Sequence, residues 1–127
     1  MDCRPFPLPV WSPKRNDNAV GIEFRILLEN RDLLIAELKF SVHGTFDAHT
    51  APWDCHVLCL EGAGYVLVGD ETQPLKAGES VRWPKDQLHQ LWTDGQTMIT
   101  QMIEHRHQVK DPARVWREHQ AAKPAPR

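Results

Sequence analysis

The residues of this chain best equipped for chemistry are its seven histidines and three cysteines. Neutral imidazole and thiolate ligate Zn²⁺ and softer transition metals, and imidazole also works as a general acid or base near neutral pH. These residues are clustered. His49, Cys55, His56 and Cys59 fall within residues 49–59, His89 follows a proline-containing turn, and His105-x-His107 ends the last apolar run. The cysteine count is odd, no CxxC occurs, and Cys55 and Cys59 on one strand would stand about 13 Å apart, too far to bridge. A reduced, cytoplasmic setting is the expectation.

Side chains at positions 49 and 89 meet only if the intervening chain doubles back, and its patterning is that of short strands. In "AVGIEFRILLEN", Ile22, Phe24, Ile26 and Leu28 alternate with Glu23 and Arg25. That period of two describes a half-buried strand. Asn30-Arg31-Asp32 turns the chain, and "LLIAELKFSV" repeats the alternation, so a hairpin is predicted. Further short strands, "HVLCLEG", "GYVLVGD", "ESVRWP", "HQLWTD" and "QTMITQMIEH", are separated by turn residues. Regular short strands of this kind build a sandwich or barrel. Asp94-Gly95 reads as a tight hairpin turn. Residues 1–18, with Pro5, Pro7, Pro9 and Pro13, form an extended arm lying on a sheet or a neighbouring subunit. Residues 19–108 form the barrel, and 109–127 a short helix and tail. Asp111 caps that helix, Pro112 starts it, and Val115, Trp116 and His119 share a face.

The 127 residues suffice for one domain with one core. A net charge of −2 gives no basis for binding nucleic acid. No apolar run approaches the roughly 20 residues that span a bilayer. The opening "MDCRPFPLPVWSPKR" lacks the apolar stretch of a secretory signal.

Two segments carry a family likeness. Residues 44–62, "GTFDAHTAPWDCHVLCLEG", and 78–93, "GESVRWPKDQLHQLWT", resemble the two motifs of the cupin superfamily, specifically its small single-domain members. In the second, Gly78, Pro84 and His89 keep the family spacing, while Asp86 replaces the usual glycine and Thr93 the asparagine. In the first, His49 matches the first histidine, Pro52-Trp53 a common continuation, and Gly62 lies seven positions after Cys55. The resemblance implies an all-β, double-stranded β-helix (jelly-roll barrel) with one central pocket. It places the family's ligand positions on His49, Ala51, Cys55 and His89.

Alanine cannot ligate. Carried over, the implied centre is a divalent metal (Zn, Fe, Ni or Mn) on His49, Cys55 and His89, with dioxygenase-, isomerase- or decarboxylase-type chemistry on a small organic ligand. The alternative, for which Ala51 argues, is a metal-free barrel that binds a small molecule without catalysis. Strand parity turns Cys55 inward with His49, whereas a bulge at Pro52-Trp53 would present His56 instead, and both arrangements stay open. The pocket candidates are Trp53 at the rim, Cys59, Trp92 and Gln101. Packing in the core is the plainer role for Trp83 and Trp92. His105-x-His107 reads as a solvated strand end. Open strand edges, the arm and related cupins together lead to the expectation of a homodimer.

Overall fold

The computed structural model describes residues 1–14 and 18–121. Eight strands follow in order: β1 (Ser12–Pro13), β2 (Ala19–Glu29), β3 (Leu34–His49), β4 (Cys55–Val68), β5 (Glu71–Lys76), β6 (Ser80–Trp83), β7 (His89–Trp92) and β8 (Met98–Glu104). A short 3₁₀ turn (Arg106–Gln108) and helix α1 (Pro112–Ala121) end the chain. The predicted hairpin is β2–β3, and its turn is built by Asn30, whose side-chain oxygen accepts the N–H groups of Asp32 (2.8 Å) and Leu33 (2.9 Å).

Closure depends on two long strands. The first half of β3 pairs with β8 and its second half with β7; β4 likewise pairs with β8 and then β7. The ring β3–β7–β4–β8 is therefore complete, with β1–β2, β5 and β6 flanking it. This is an all-β fold with a closed antiparallel barrel, an extended arm and a short C-terminal helix. Directly opposed residues share a face, so Ile22, Leu38, Phe40, Val57, Met98 and Thr100 all point inward, and they are buried. Phe40, Leu91 and Met98 seal one end. At the other, inward-facing Ile26, Met102 and His49 keep some exposure, and this end is the mouth.

Asp94-Gly95 does not make the predicted hairpin. It turns the chain, with Gly95 at φ 90°, but the strands on either side do not pair with each other. The turn is instead tied to the bend of β3. Thr93 and Gly95 N–H groups donate to the Gly44 (2.9 Å) and Val42 (2.7 Å) carbonyls, and the Thr93 hydroxyl accepts Gly44 N–H at 2.8 Å. Those bonds carry the chain from β7, beside the second half of β3, to β8, beside its first half.

Helix α1 starts as expected: Asp111 accepts the Arg114 N–H on its carboxylate (3.2 Å) and the Val115 N–H on its carbonyl (3.0 Å). Trp116 stacks on Trp53 with centroids 5.5 Å apart, and His119 Nε2 donates to the Thr50 carbonyl at 2.7 Å. The helix thus clamps the loop between β3 and β4. Among the described residues, no helix is long and apolar enough to cross a membrane. The "KPAPR" tail lies outside the described residues.

Candidate ligand site at the imidazole pair

His49, at the end of β3, and His89, at the start of β7, are directly opposed in the ladder. Their Nε2 atoms lie 3.1 Å apart, with rings edge to face at 78° and centroids 4.4 Å apart. Each ring has an aromatic backing. Phe46 stacks on His49 at 4.3 Å, and Trp83 lies nearly parallel to His89 at 4.0 Å. Trp83 also presents its ring to His49 at 6.3 Å.

Hydrogen bonding sets the tautomers. A carbonyl can only accept, so the 2.8 Å contact between His49 Nδ1 and the Asp47 carbonyl places a proton on Nδ1. In the neutral ring Nε2 then accepts, and His89 Nε2–H is the donor between the two. In this arrangement the two Nε2 atoms satisfy each other, and a ligand would have to exchange with that bond to reach either one. The pair can then orient a ligand with polar groups, or pass a proton to one.

Cys55 points inward, as parity predicts, and is 2% exposed. It stands between Trp83 on β6 and Glu104 on β8 in the two ladders it joins. Burial first, and the Glu104 charge second, push its thiol well above the usual range. Among the described residues, no three His, Cys, Asp or Glu side chains converge as a metal group requires. The alanine at position 51 is buried and adds no donor.

The four pocket candidates are dispersed. Trp53 lies under helix α1, with the Arg106 guanidinium 5.1 Å from its ring centroid. Cys59 belongs to the core cluster. Trp92 alternates with buried His89 and Leu91, so it faces outward, stacked on half-exposed Tyr65 at 5.8 Å. Gln101 also faces outward, opposite Glu37 and Leu58. The sequence reading passed over Trp83 and Phe46 as backing for the imidazoles. Trp83 stands opposite Cys55, whereas Phe46, an odd number of residues before His49, reaches it only through the register shift between them, which no parity count reveals.

His56 takes the outward side of β4 and meets His105, Nδ1 to Nε2, at 2.8 Å. His105-x-His107 is thus not simply a solvated end. Burial lowers the His105 pKa first, and the neighbouring His56 and His107 lower it further, against a smaller upward pull from Asp54. The unfolded chain consequently binds this proton more readily than the folded one. The associated stability is complete above about pH 6.5, the ordinary value, and is lost as pH falls through the lower folded value. Urea midpoints measured from pH 7 to pH 5 should fall more steeply in the native sequence than in His105→Gln. Equal slopes would contradict this linkage.

Asp54 joins the loop to both neighbouring segments. Its carboxylate accepts the Gln108 side-chain amide (3.0 Å), the Lys85 N–H (2.8 Å) and the Arg82 guanidinium (3.1 Å). The Gln108 amide, then the Lys85 N–H, lead in holding this carboxyl far below the usual range. These contacts fix the loop immediately before Cys55.

A closed antiparallel barrel with an imidazole pair at its open end defines a class of small ligand-holding β-barrels. Residues 36–106 match the Cupin domain family, and the chain belongs to it. Solved structures agree on the fold. The polyketide cyclase RemF from Streptomyces resistomycificus is 20% identical, with a TM-score of 0.73 over 84% of this chain and 80% of that one. KdgF from Halomonas sp. is 19% identical (TM-score 0.66; 77% and 87% covered). Rru_A2000 from Rhodospirillum rubrum, a cupin-2 domain, is 12% identical (TM-score 0.69; 83% and 74% covered). No curated protein sequence matches the chain significantly.

Proposed function

We propose that this cupin binds a small organic molecule at the mouth of its barrel and needs no resident metal to do so. The observation that carries the reading is the His49–His89 pair: two Nε2 atoms at 3.1 Å share a hydrogen bond, and no group of three or more His, Cys, Asp or Glu forms among the described residues. Aromatic rings back both imidazoles, which suits a flat or apolar ligand body with one or two polar groups. Two polar atoms further in, the Thr100 hydroxyl and the Trp83 indole N–H, are buried without a partner among the described residues. Each such group costs about 1–3 kcal/mol unless water or a ligand satisfies it. The likeness to a polyketide cyclase is one of fold, and the reading does not rest on that protein's activity.

Tag-free protein should carry well under one equivalent of Zn, Fe, Ni or Mn by elemental analysis. Saturable shifts of the His49 and His89 imidazole resonances on adding benzoate or benzamide, lost in His89→Ala, are the expected positive result. Near-stoichiometric metal that disappears in His89→Ala would overturn the metal-free reading in favour of a metal centre on His49 and His89.

A further inference from the structure

One charged side chain in contact with the aromatic backing of His49 belongs to neither motif. The Lys14 N–H donates to the Ile22 carbonyl at 2.9 Å, extending the pairing in which Ser12 faces Phe24 and Pro13 faces Glu23. Prolines occupy odd positions of the arm (5, 7, 9 and 13), where a missing N–H does not interrupt this edge pairing. The even positions, Ser12 and Lys14, fall on the inward face with Phe24 and Ile22.

The Lys14 ammonium lies against two phenyl rings. It lies 5.6 Å from the ring centroid of Phe24 and 4.9 Å from that of Phe46, and Phe46 is the ring stacked on His49. A cavity of about 570 Å³ opens beside it towards the Phe40 and Met98 end of the barrel, with Lys14, Lys39, Glu23 and Glu61 as the charged residues of its walls. The imidazole pair is not part of that wall; Phe46 is the contact common to Lys14 and His49. Among the described residues, no carboxylate forms an ion pair with Lys14. Glu104, whose charge it feels, is already held by Arg106 at 3.0 Å. Burial lowers the Lys14 pKa and Glu104 opposes this, as expected for a cation drawn away from water. The phenyl rings offset only part of that desolvation.

We propose that Lys14 is the anion anchor of the site, and that the ligand is an organic acid whose carboxylate meets Lys14 while its apolar body lies along Phe46 towards the imidazoles. The inference rests on the ligand-binding reading above and names the class of ligand. Benzoate and benzamide, equal in shape and different in charge, separate the two ideas when imidazole shifts are followed by NMR titration of the full chain. Benzoate should bind at least tenfold more tightly than benzamide. Lys14→Met should weaken benzoate about tenfold and leave benzamide within about twofold, while Lys14→Arg keeps the preference; a hydrogen bond to a charged group supports a change of this size. Unchanged benzamide binding also reports that Lys14→Met is folded. Equal affinities for the two probes, or a preference that survives Lys14→Met, overturn the anchor and leave the pocket standing. If neither probe shifts the imidazoles, the pocket reading falls and the anchor falls with it.

Discussion

Replacing Gly62 by alanine should leave little stably folded protein, whereas the same change at Gly78 should cost only about 1 kcal/mol. Both residues have positive φ, 74° and 89°, and both belong to the spaced motifs. Their surroundings differ. A Cβ on Gly62 would stand 1.9 Å from the Thr97 carbonyl oxygen and 2.9 Å from its carbon, and both are backbone atoms that no rotamer change can move aside. At Gly78 a Cβ meets nothing within 4 Å. Gly62 also lies where β4 leaves its pairing with β8 and approaches β7. Any shift there disturbs the ring that closes the barrel. A loss of about 3 kcal/mol or more follows from strain and clash together. Thermal melts followed by circular dichroism decide it. Gly62→Ala melting within a few degrees of Gly78→Ala would show that this crossing is far more yielding than its geometry indicates.

Trp83→Ala is expected to cost about 3–5 kcal/mol, the range for deleting a large buried aromatic. Trp83 is 1% exposed and forms the flat backing of His89. Its removal opens a cavity and releases the imidazole from one fixed plane. Probe binding at the pair should therefore weaken along with stability. Trp92→Ala is the matched control, because that ring stacks on Tyr65 outside the barrel; about 1 kcal/mol and unaltered imidazole resonances are expected. Trp83→Phe should recover more than half of the lost stability and much of the binding. Urea denaturation of the three variants provides the comparison. Similar losses for Trp83→Ala and Trp92→Ala would remove Trp83 from its role as the support of the site.

Much of the fold was legible because the period of two is written directly into strands that have one wet face. Ile22, Phe24 and Ile26 on β2, and Leu34, Ala36, Leu38 and Phe40 on β3, needed only counting. The cap and anchor of α1 were equally readable, since Asp111-Pro112 and Trp116 act within a few residues of themselves. Asp94-Gly95 was misread for the complementary reason. A turn signal states that the chain reverses, and it carries no information about which strands pair afterwards; here bonds to Val42 and Gly44 led it to the first halves of β3 and β4. Trp92 lies on the outward face of its strand; for Gln101, alternation on β8 leaves two sets, and the pairing turns Met98 and Met102 inward and Gln101 outward.

The sequence by itself determined an all-β cupin barrel and histidines 49 and 89 as the two imidazoles of its motifs, because spacing and alternation are local quantities; it left the choice between Cys55 and His56 open. Only the tertiary structure decided that these imidazoles bond to each other at 3.1 Å, that Phe46 and Trp83 back them, and that Lys14 comes in beside Phe46. It also decided that His56 meets His105 instead of turning into the barrel. Each of those contacts joins strands or arms far apart in the chain. Their existence depends on the register and twist of the closed ring, which no short window of residues contains.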